Sequence, residues 1–345
     1  DMLVPIAAFQ NDSQFVGIAE FHADNQYLMT QVLGENHTNR NLHLGEIKIR
    51  DIQSSTEMVL PEDWLPLAAA TWSPDGATLA VVTASRDFLE VDFATMKPIH
   101  KGISDESAQL LKYSRSGKLL ALYGKKSVRI WDTELREFVT AELPHTDVVT
   151  GIDFSPNEEY VVTTSVDDRA RVFRISQETA EPQANLEHAS GSSTFRQRLC
   201  LPAIFVGNDR VVTGERNGSW NRTVRISKPD GTLVKRLRNI FSGGRLRNDS
   251  DRYLVARERF SIVFTDLETF EQTRLKMPTD EIEFAISSDQ NVIATCSTGQ
   301  FRLWDLEEFD LVDSSNALST SCNFCKFSRD GKLVCTSERG GLLKV

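Results

Sequence analysis

At 345 residues, 40% hydrophobic and 26% charged, the chain has enough apolar material for a sizeable core and could form two ordinary domains or one large repetitive one. Its formal net charge of −10 argues against a nucleic-acid binder, because neutralising phosphates needs a basic face. No apolar run is long enough to span a membrane, and the five scattered cysteines (Cys200, Cys296, Cys322, Cys325, Cys335) are not a disulfide framework, so a reducing, cytoplasmic setting is expected. No signal peptide is visible, although a chain that starts at Asp1 is compatible with a removed leader.

Self-similarity governs the rest of the reading. In chain order, a large apolar residue stands just before a turn tetrad at Phe21 (His-Ala-Asp-Asn), Trp72 (Ser-Pro-Asp-Gly), Tyr113 (Ser-Arg-Ser-Gly), Phe154 (Ser-Pro-Asn-Glu), Phe205 (Val-Gly-Asn-Asp), Leu246 (Arg-Asn-Asp-Ser), Ile286 (Ser-Ser-Asp-Gln) and Phe327 (Ser-Arg-Asp-Gly). The steps between these anchors are 51, 41, 41, 51, 41, 40 and 41 residues, and the two long steps each hold about ten extra residues. Each unit continues with a second strand of small and β-branched residues, as in Leu79 to Thr83, Leu119 to Tyr123, Val211 to Thr213 and Val292 to Thr295. A third strand ends on a bulky residue, most clearly in Val128 to Asp132 and Phe301 to Asp305, and a fourth follows, as in Glu137 to Thr140. The pattern is plainest in 145–173: a first strand through Val149, Ile152 and Phe154, a second from Val161 to Ser165 and a third from Ala170 to Phe173. Pro and Asx residues set the turns between them. Short β-rich runs at this spacing, without helical periodicity, specify an all-β repeat fold.

These units resemble WD40 repeats, which form β-propellers with one four-stranded sheet per blade. The resemblance covers essentially the whole chain. Trp131-Asp132 and Trp304-Asp305 carry the signature dipeptide, and Arg50-Asp51, Val91-Asp92, Phe173-Arg174 and Thr265-Asp266 are degraded versions of it. His145, Ser165 and Asp167 match the family's structural hydrogen-bond network, with Phe173 in place of its Trp. The last unit stops at Val345, aligned with Val172, while residues 1–9 read as a turn Asp and an outer strand. The N-terminal segment is therefore expected to complete the last blade and close a ring of eight. Seven blades with one stray unit is the alternative. Residues 1–345 are taken as a single propeller domain; the break at the Trp position at both ends also fits a propeller cut from a longer chain.

Function is expected in the departures from the repeat. Two polar insertions, roughly 31–45 within unit 1 and 176–198 between units 4 and 5, lie on connections that the family places on one face, its top face. Residues 235–259 carry eight basic residues against three acids, and Trp220 sits in a nearby loop. Trp and Arg are common binding anchors. The candidate partner-binding residues are Arg40, His43, Arg198, Trp220, Arg222, Arg245 and Arg257, facing a protein or peptide of acidic character.

Sites of chemistry fare poorly. Glu35, His37 and His43 match no strong metal-ligand spacing. Cys322-x-x-Cys325 lies on a first strand, where an odd offset should put the two thiols on opposite faces, as buried structural groups. His145, Ser165 and Asp167 name the members of a hydrolase triad, but the repeat explains them as structural and no Gly-x-Ser-x-Gly elbow occurs. No phosphate-binding or dinucleotide loop is present, and the sequons at Asn36, Asn217, Asn221 and others matter only in a secreted chain. The expectation is a monomeric, non-catalytic interaction scaffold without metal or cofactor; a propeller hydrolase or lactonase, or a sensor module of a larger protein, is the alternative.

Overall fold

The computed structural model describes residues 5–10, 16–33, 44–104, 108–167, 169–175, 182–187, 203–217, 221–238, 253–258, 260–278, 283–289, 291–316, 318, 320, 322–338 and 341–345. The described residues are all-β apart from one 3-10 turn at Glu62–Trp64, and their strands make eight antiparallel blades rather than seven. Blade 1 holds Val16–Phe21, Tyr27–Leu33 and Leu44–Asp51. Blade 2 consists of the hairpins Leu67–Trp72 with Thr78–Thr83 and Asp87–Asp92 with Lys97–Ile103. Blade 3 holds Ala108–Tyr113, Leu119–Gly124 and Ser127–Asp132; blade 4 holds Val149–Phe154, Tyr160–Ser165, Arg169–Arg174 and Ala184–Glu187. Blade 5 runs Ile204–Val206, Arg210–Asn217, Asn221–Ser227 and Leu233–Arg238, and blade 6 shows Tyr253–Glu258, Ser261–Asp266 and Gln272–Lys276. Blade 7 runs Glu283–Ile286, Val292–Ser297, Gln300–Asp305 and Leu311–Ser315. Blade 8 takes Cys322–Phe327, Val334–Glu338 and Leu342–Lys344 from the end of the chain and Ala8–Gln10 from its start, with Phe9 opposite Leu343. The contacts divide the chain into two compact units, Asp1–Ser85 with Leu275–Val345 and Arg86–Arg274.

Turn chemistry explains why the anchors recur. In Ser73-Pro-Asp-Gly76, the Ser73 hydroxyl and the Ala77 N–H both donate to Asp75 Oδ1, at 2.5 and 3.0 Å, while Thr78 N–H donates to Ser73 Oγ at 2.9 Å. Ser155 with Asn157, Ser287 with Asp289 and Ser328 with Asp330 repeat this arrangement. These four first-to-second-strand turns are thus closed by their own side chains.

Outer strands depart from the expected pattern. The strand foreseen over residues 137–140 shrinks to Glu137–Phe138, because the Thr140 hydroxyl takes the place of a backbone acceptor for Ile130 N–H, at 3.2 Å; Leu143–Pro144 then returns to pair with the same third strand.

The first strands carry a feature the sequence pattern did not suggest. Ladder register shifts at Val16/Ile18, Leu67/Ala69, Val149/Gly151 and Cys322/Phe324, always five residues before the anchor. A β-bulge adds one residue and reverses the alternation beyond it. In blade 8 it overturns the expectation of opposite faces: Cys322 and Cys325 lie on one face, packed with Cys296, Phe301, Leu318 and Phe327.

Gly76 is the position where the turn geometry is tightest. Its φ is +77°, and a Cβ there would stand 2.5 Å from the Nε2 of His22, which is bonded to the Gly76 carbonyl at 2.8 Å. Gly76→Ala is expected to destabilise the protein by about 1–3 kcal/mol through the left-handed backbone and the displaced His22. Urea unfolding of the two proteins checks this, and equal midpoints would contradict it.

Candidate partner-binding site

Neighbouring blades are locked in register along their first strands. In the unit of residues 86–274, Lys112 Nζ of blade 3 reaches Asp153 Oδ1 of blade 4 at 2.7 Å, and Asp153 Oδ2 accepts Phe205 N–H of blade 5 at 2.8 Å. Their first turns also touch: Ser116 Oγ donates to Glu158 Oε1 at 2.6 Å, and Asn157 N–H donates to Asn208 Oδ1 at 2.8 Å. Blades 3, 4 and 5 therefore point the same way, and the second-to-third-strand turns of blades 3 and 4 lie at the opposite end. In the other unit, Glu20 of blade 1 accepts from the Thr71 hydroxyl of blade 2 at 3.1 Å and lies near Lys326 of blade 8. Burial pushes the Glu20 carboxyl up, opposed by Lys326 and Thr71.

The turns at the two ends of the blades are built from different side chains. At the end carrying the first-to-second and third-to-fourth-strand turns, Asp51, Asp75, Asp92, Asp230 and Asp289 are held below the usual carboxylate range by the N–H and hydroxyl groups they cap. At the other end, the second-to-third-strand turns of blades 2, 3 and 4 present Arg86, Lys125 with Lys126, and Arg169, all exposed. Sequence reasoning missed these cations. Their signal was positional: each stands in the same turn of its repeat.

Inside the blades, one buried hydroxyl recurs on the second strand, nine residues after the anchor, as Thr30, Thr163 and Thr295. Its partner changes. In blade 7 the Trp304 indole N–H donates to Thr295 Oγ1 at 2.9 Å; in blade 1 the Arg50 guanidinium donates to Thr30 Oγ1 at 3.0 Å. In blade 4 the Trp position is Phe173, and His145 supplies the partner instead, with Nε2 2.8 Å from Thr163 Oγ1. His145 Nδ1 lies 3.0 Å from the Leu143 carbonyl, which can only accept. The proton is thus assigned to Nδ1, and the Thr163 hydroxyl donates to Nε2. Ser165 donates instead to the Asp147 carbonyl at 3.0 Å, and Asp167 binds Arg171 through both oxygens at 3.2 and 2.7 Å. His145, Ser165 and Asp167 are brought close, but the hydroxyl on the histidine belongs to Thr163. Blade 3 has Leu122 at the hydroxyl position, and its Trp131 indole lies beside the buried Glu90 of blade 2. Burial pushes the Glu90 carboxyl up against the opposing pull of Trp131 and Arg136.

The model of the family "Eukaryotic translation initiation factor eIF2A" matches residues 23–175. Periodic tryptophan protein 2 of Saccharomyces cerevisiae is 22% identical over 294 residues, covering 80% of this chain and 29% of that protein. Serine-threonine kinase receptor-associated protein of Gallus gallus is 23% identical over 224 residues, covering 64% and 60%. An uncharacterised WD repeat-containing protein of Synechocystis sp. is 31% identical over 104 residues, covering 30% of each chain. The chain is a WD-repeat β-propeller. It spans between 29% and 60% of the length of these curated relatives.

Of the residues singled out as partner contacts in this propeller, Arg40, His43, Arg198, Trp220 and Arg245 lie outside the described residues. Arg222 stands opposite Arg216 at the start of its strand, and Arg257 stands opposite Ile262 near the end of its own. Both positions flank second-to-third-strand turns, in blades 5 and 6. Among the described residues no helix is long and apolar enough to cross a membrane, and no group of three or more His, Cys, Asp or Glu side chains is arranged to hold a metal ion.

The blade 4 network carries a pH signature. Burial, reinforced by Arg171, pushes His145 down to about 4, against the opposing Leu143 carbonyl and Asp167. Burial pushes Asp167 up, but its hydrogen bonds to Arg171 and Thr146 win and hold it at about 2. An unfolded histidine gains its proton near pH 6.5 while the folded His145 stays neutral to about 4. Stability should therefore fall as pH drops through this window, by up to about 3 kcal/mol, and the Asp167 contribution should follow only below about pH 4. Denaturant titrations at several pH values check this; His145→Gln should flatten the curve between pH 6.5 and 4, and an unchanged slope would refute the assignment.

Proposed function

We propose that this WD-repeat propeller is a non-catalytic interaction platform that binds an acidic peptide or domain at the end of its blades bearing the second-to-third-strand turns. One observation carries the reading: exposed Arg86, Lys125, Lys126 and Arg169 occupy that same turn in blades 2, 3 and 4 of a protein whose net charge is −10. Arg222 and Arg257 flank the corresponding turns of blades 5 and 6. Arg40, His43, Arg198 and Trp220 complete the proposed contact set at that end, whereas Arg245, next to the anchor Leu246, falls by its place in the repeat at the first-to-second-strand turn. Sequence likeness to a protein whose name is receptor-associated agrees with a protein partner.

Binding here needs no chemistry. Blades locked edge to edge hold their turns in place, so little ordering entropy is lost on association. Opposite charge on the partner steers the encounter and fixes its orientation. We place the protein in the cytoplasm as a monomeric propeller over residues 1–345, binding neither nucleic acid nor membrane.

Charge reversal of the four turn cations, Arg86→Glu, Lys125→Glu, Lys126→Glu and Arg169→Glu, gives the test. Fluorescence anisotropy with a glutamate-rich peptide should show at least about a tenfold loss of affinity in the quadruple variant, with wild-type binding weakened by added salt. Equal affinity of the two proteins, or binding insensitive to salt, would sink the proposal.

A further inference from the structure

Three fully buried thiols meet where blade 7 packs on blade 8. Cys296 comes from the second strand of blade 7, one residue before the end of Val292–Ser297. Cys322 opens the first strand of blade 8, and Cys325 follows it after the bulge. The bulge is what makes the meeting possible, since it turns Cys322 onto the face of Cys325 and Phe327, toward Cys296. The Cys296 thiol is within hydrogen-bond reach of both Cys322 and Cys325, and none of the three is in a disulfide. Cys335, also in no disulfide, packs in a different cluster, with Phe324 and Leu343.

We propose that Cys296 and Cys322 form a reversible disulfide that staples blade 7 to blade 8 when the surroundings turn oxidising. Cys322 opens its strand and Cys296 stands one residue from the end of its own, near where fraying begins, whereas Cys325 lies further inside its strand. The oxidant is glutathione disulfide or a like small disulfide. One thiol gives up its proton, its sulfur attacks the oxidant, and one glutathione leaves as the thiol. The second thiol loses its proton and attacks the mixed disulfide, releasing a second glutathione. Two protein thiols are oxidised and one glutathione disulfide is reduced to two glutathiones.

The buried position sets the rate. The thiolate is the nucleophile, and burial holds the Cys296 thiol well above its ordinary value, reinforced by the two neighbouring thiols. In the closed protein the reaction is slow, and it proceeds through local opening of the blade 7–blade 8 seam. The staple, once formed, resists that same opening. Cys325, also in contact with Cys296, can take over the bond by exchange.

The test uses the whole chain, incubated with glutathione disulfide in sub-denaturing urea. Thiol titration after complete unfolding should fall from five groups to three, five being the cysteine count of the sequence. Non-reducing peptide mapping should recover Cys296 linked to Cys322, and the reaction should quicken as urea increases. Cys335→Ser should leave the bond intact, while Cys296→Ser should abolish every disulfide of the cluster. Because Cys296→Ser could unfold the seam, Cys322→Ser serves as a second variant, in which the bond shifts to Cys296 with Cys325. Retention of all five thiols in opening conditions, or a bond that joins two molecules or uses Cys200 or Cys335, overturns the proposal.

Discussion

A single antiparallel sheet of this composition cannot stand in water, because both of its faces are apolar. The second strands show it: Leu79, Ala80, Val81 and Val82 are all buried, as is every residue of Leu119–Gly124. Such a strand needs cover on both sides, and only a neighbouring sheet can supply it. The apolar clusters accordingly cross from blade to blade. Val172 and Leu186 of blade 4 pack with Phe205 and Val211 of blade 5, and Ala294 of blade 7 packs with Phe327 of blade 8. The cross-blade polar contacts of Lys112 with Asp153, and of His22 with the Gly76 carbonyl, then choose one register from the many that apolar packing alone would accept.

Within a blade, the recurring threonine shows how loosely the polar part is specified. A buried hydroxyl needs one good partner, and the fold accepts an indole, a guanidinium or an imidazole. The threonine can serve as acceptor or donor, so losing the Trp at position 173 reverses the direction of one hydrogen bond and leaves no group unsatisfied. This accounts for a repeat whose signature dipeptide is mostly degraded while its spacing is kept. Spacing is fixed by turns and strand lengths, and those depend on Asx side chains and glycines rather than on the tryptophan.

The same distinction explains what could be read from the sequence. Anchor spacing placed the first and second strands and the eight blades, and the outer strand donated by the N-terminus followed from counting. The bulge escaped because alternation was assumed to run unbroken. Its trace was there: Val16, Leu67, Ala108, Val149 and Cys322 are all apolar at an odd distance of five from the anchor, where strict alternation calls for the other face. Thr163 was passed over for Ser165 because both are small hydroxyl residues two positions apart on one face, and only coordinates tell which of them meets the histidine. The cations at the second-to-third-strand turns were hidden by looking for clusters along the chain. Arg86, Lys126 and Arg169 are about forty residues apart in sequence and are related by the repeat.

The strand Ala8–Gln10 beside Leu342–Lys344 has a bearing on how the chain acquires its shape in time. Hairpins within a blade join residues a few positions apart and can form as soon as each pair of strands exists. The eighth blade cannot: its outermost strand is at one end of the sequence and its other three at the other. Residue 9 must hold itself free of other partners while more than three hundred residues are made. Loop entropy grows only slowly with length, by about 0.6 kcal/mol per doubling, so the wait costs speed more than stability. That ladder is the one of longest range, and until it forms the edge of Leu342–Lys344 is open to pairing with another chain.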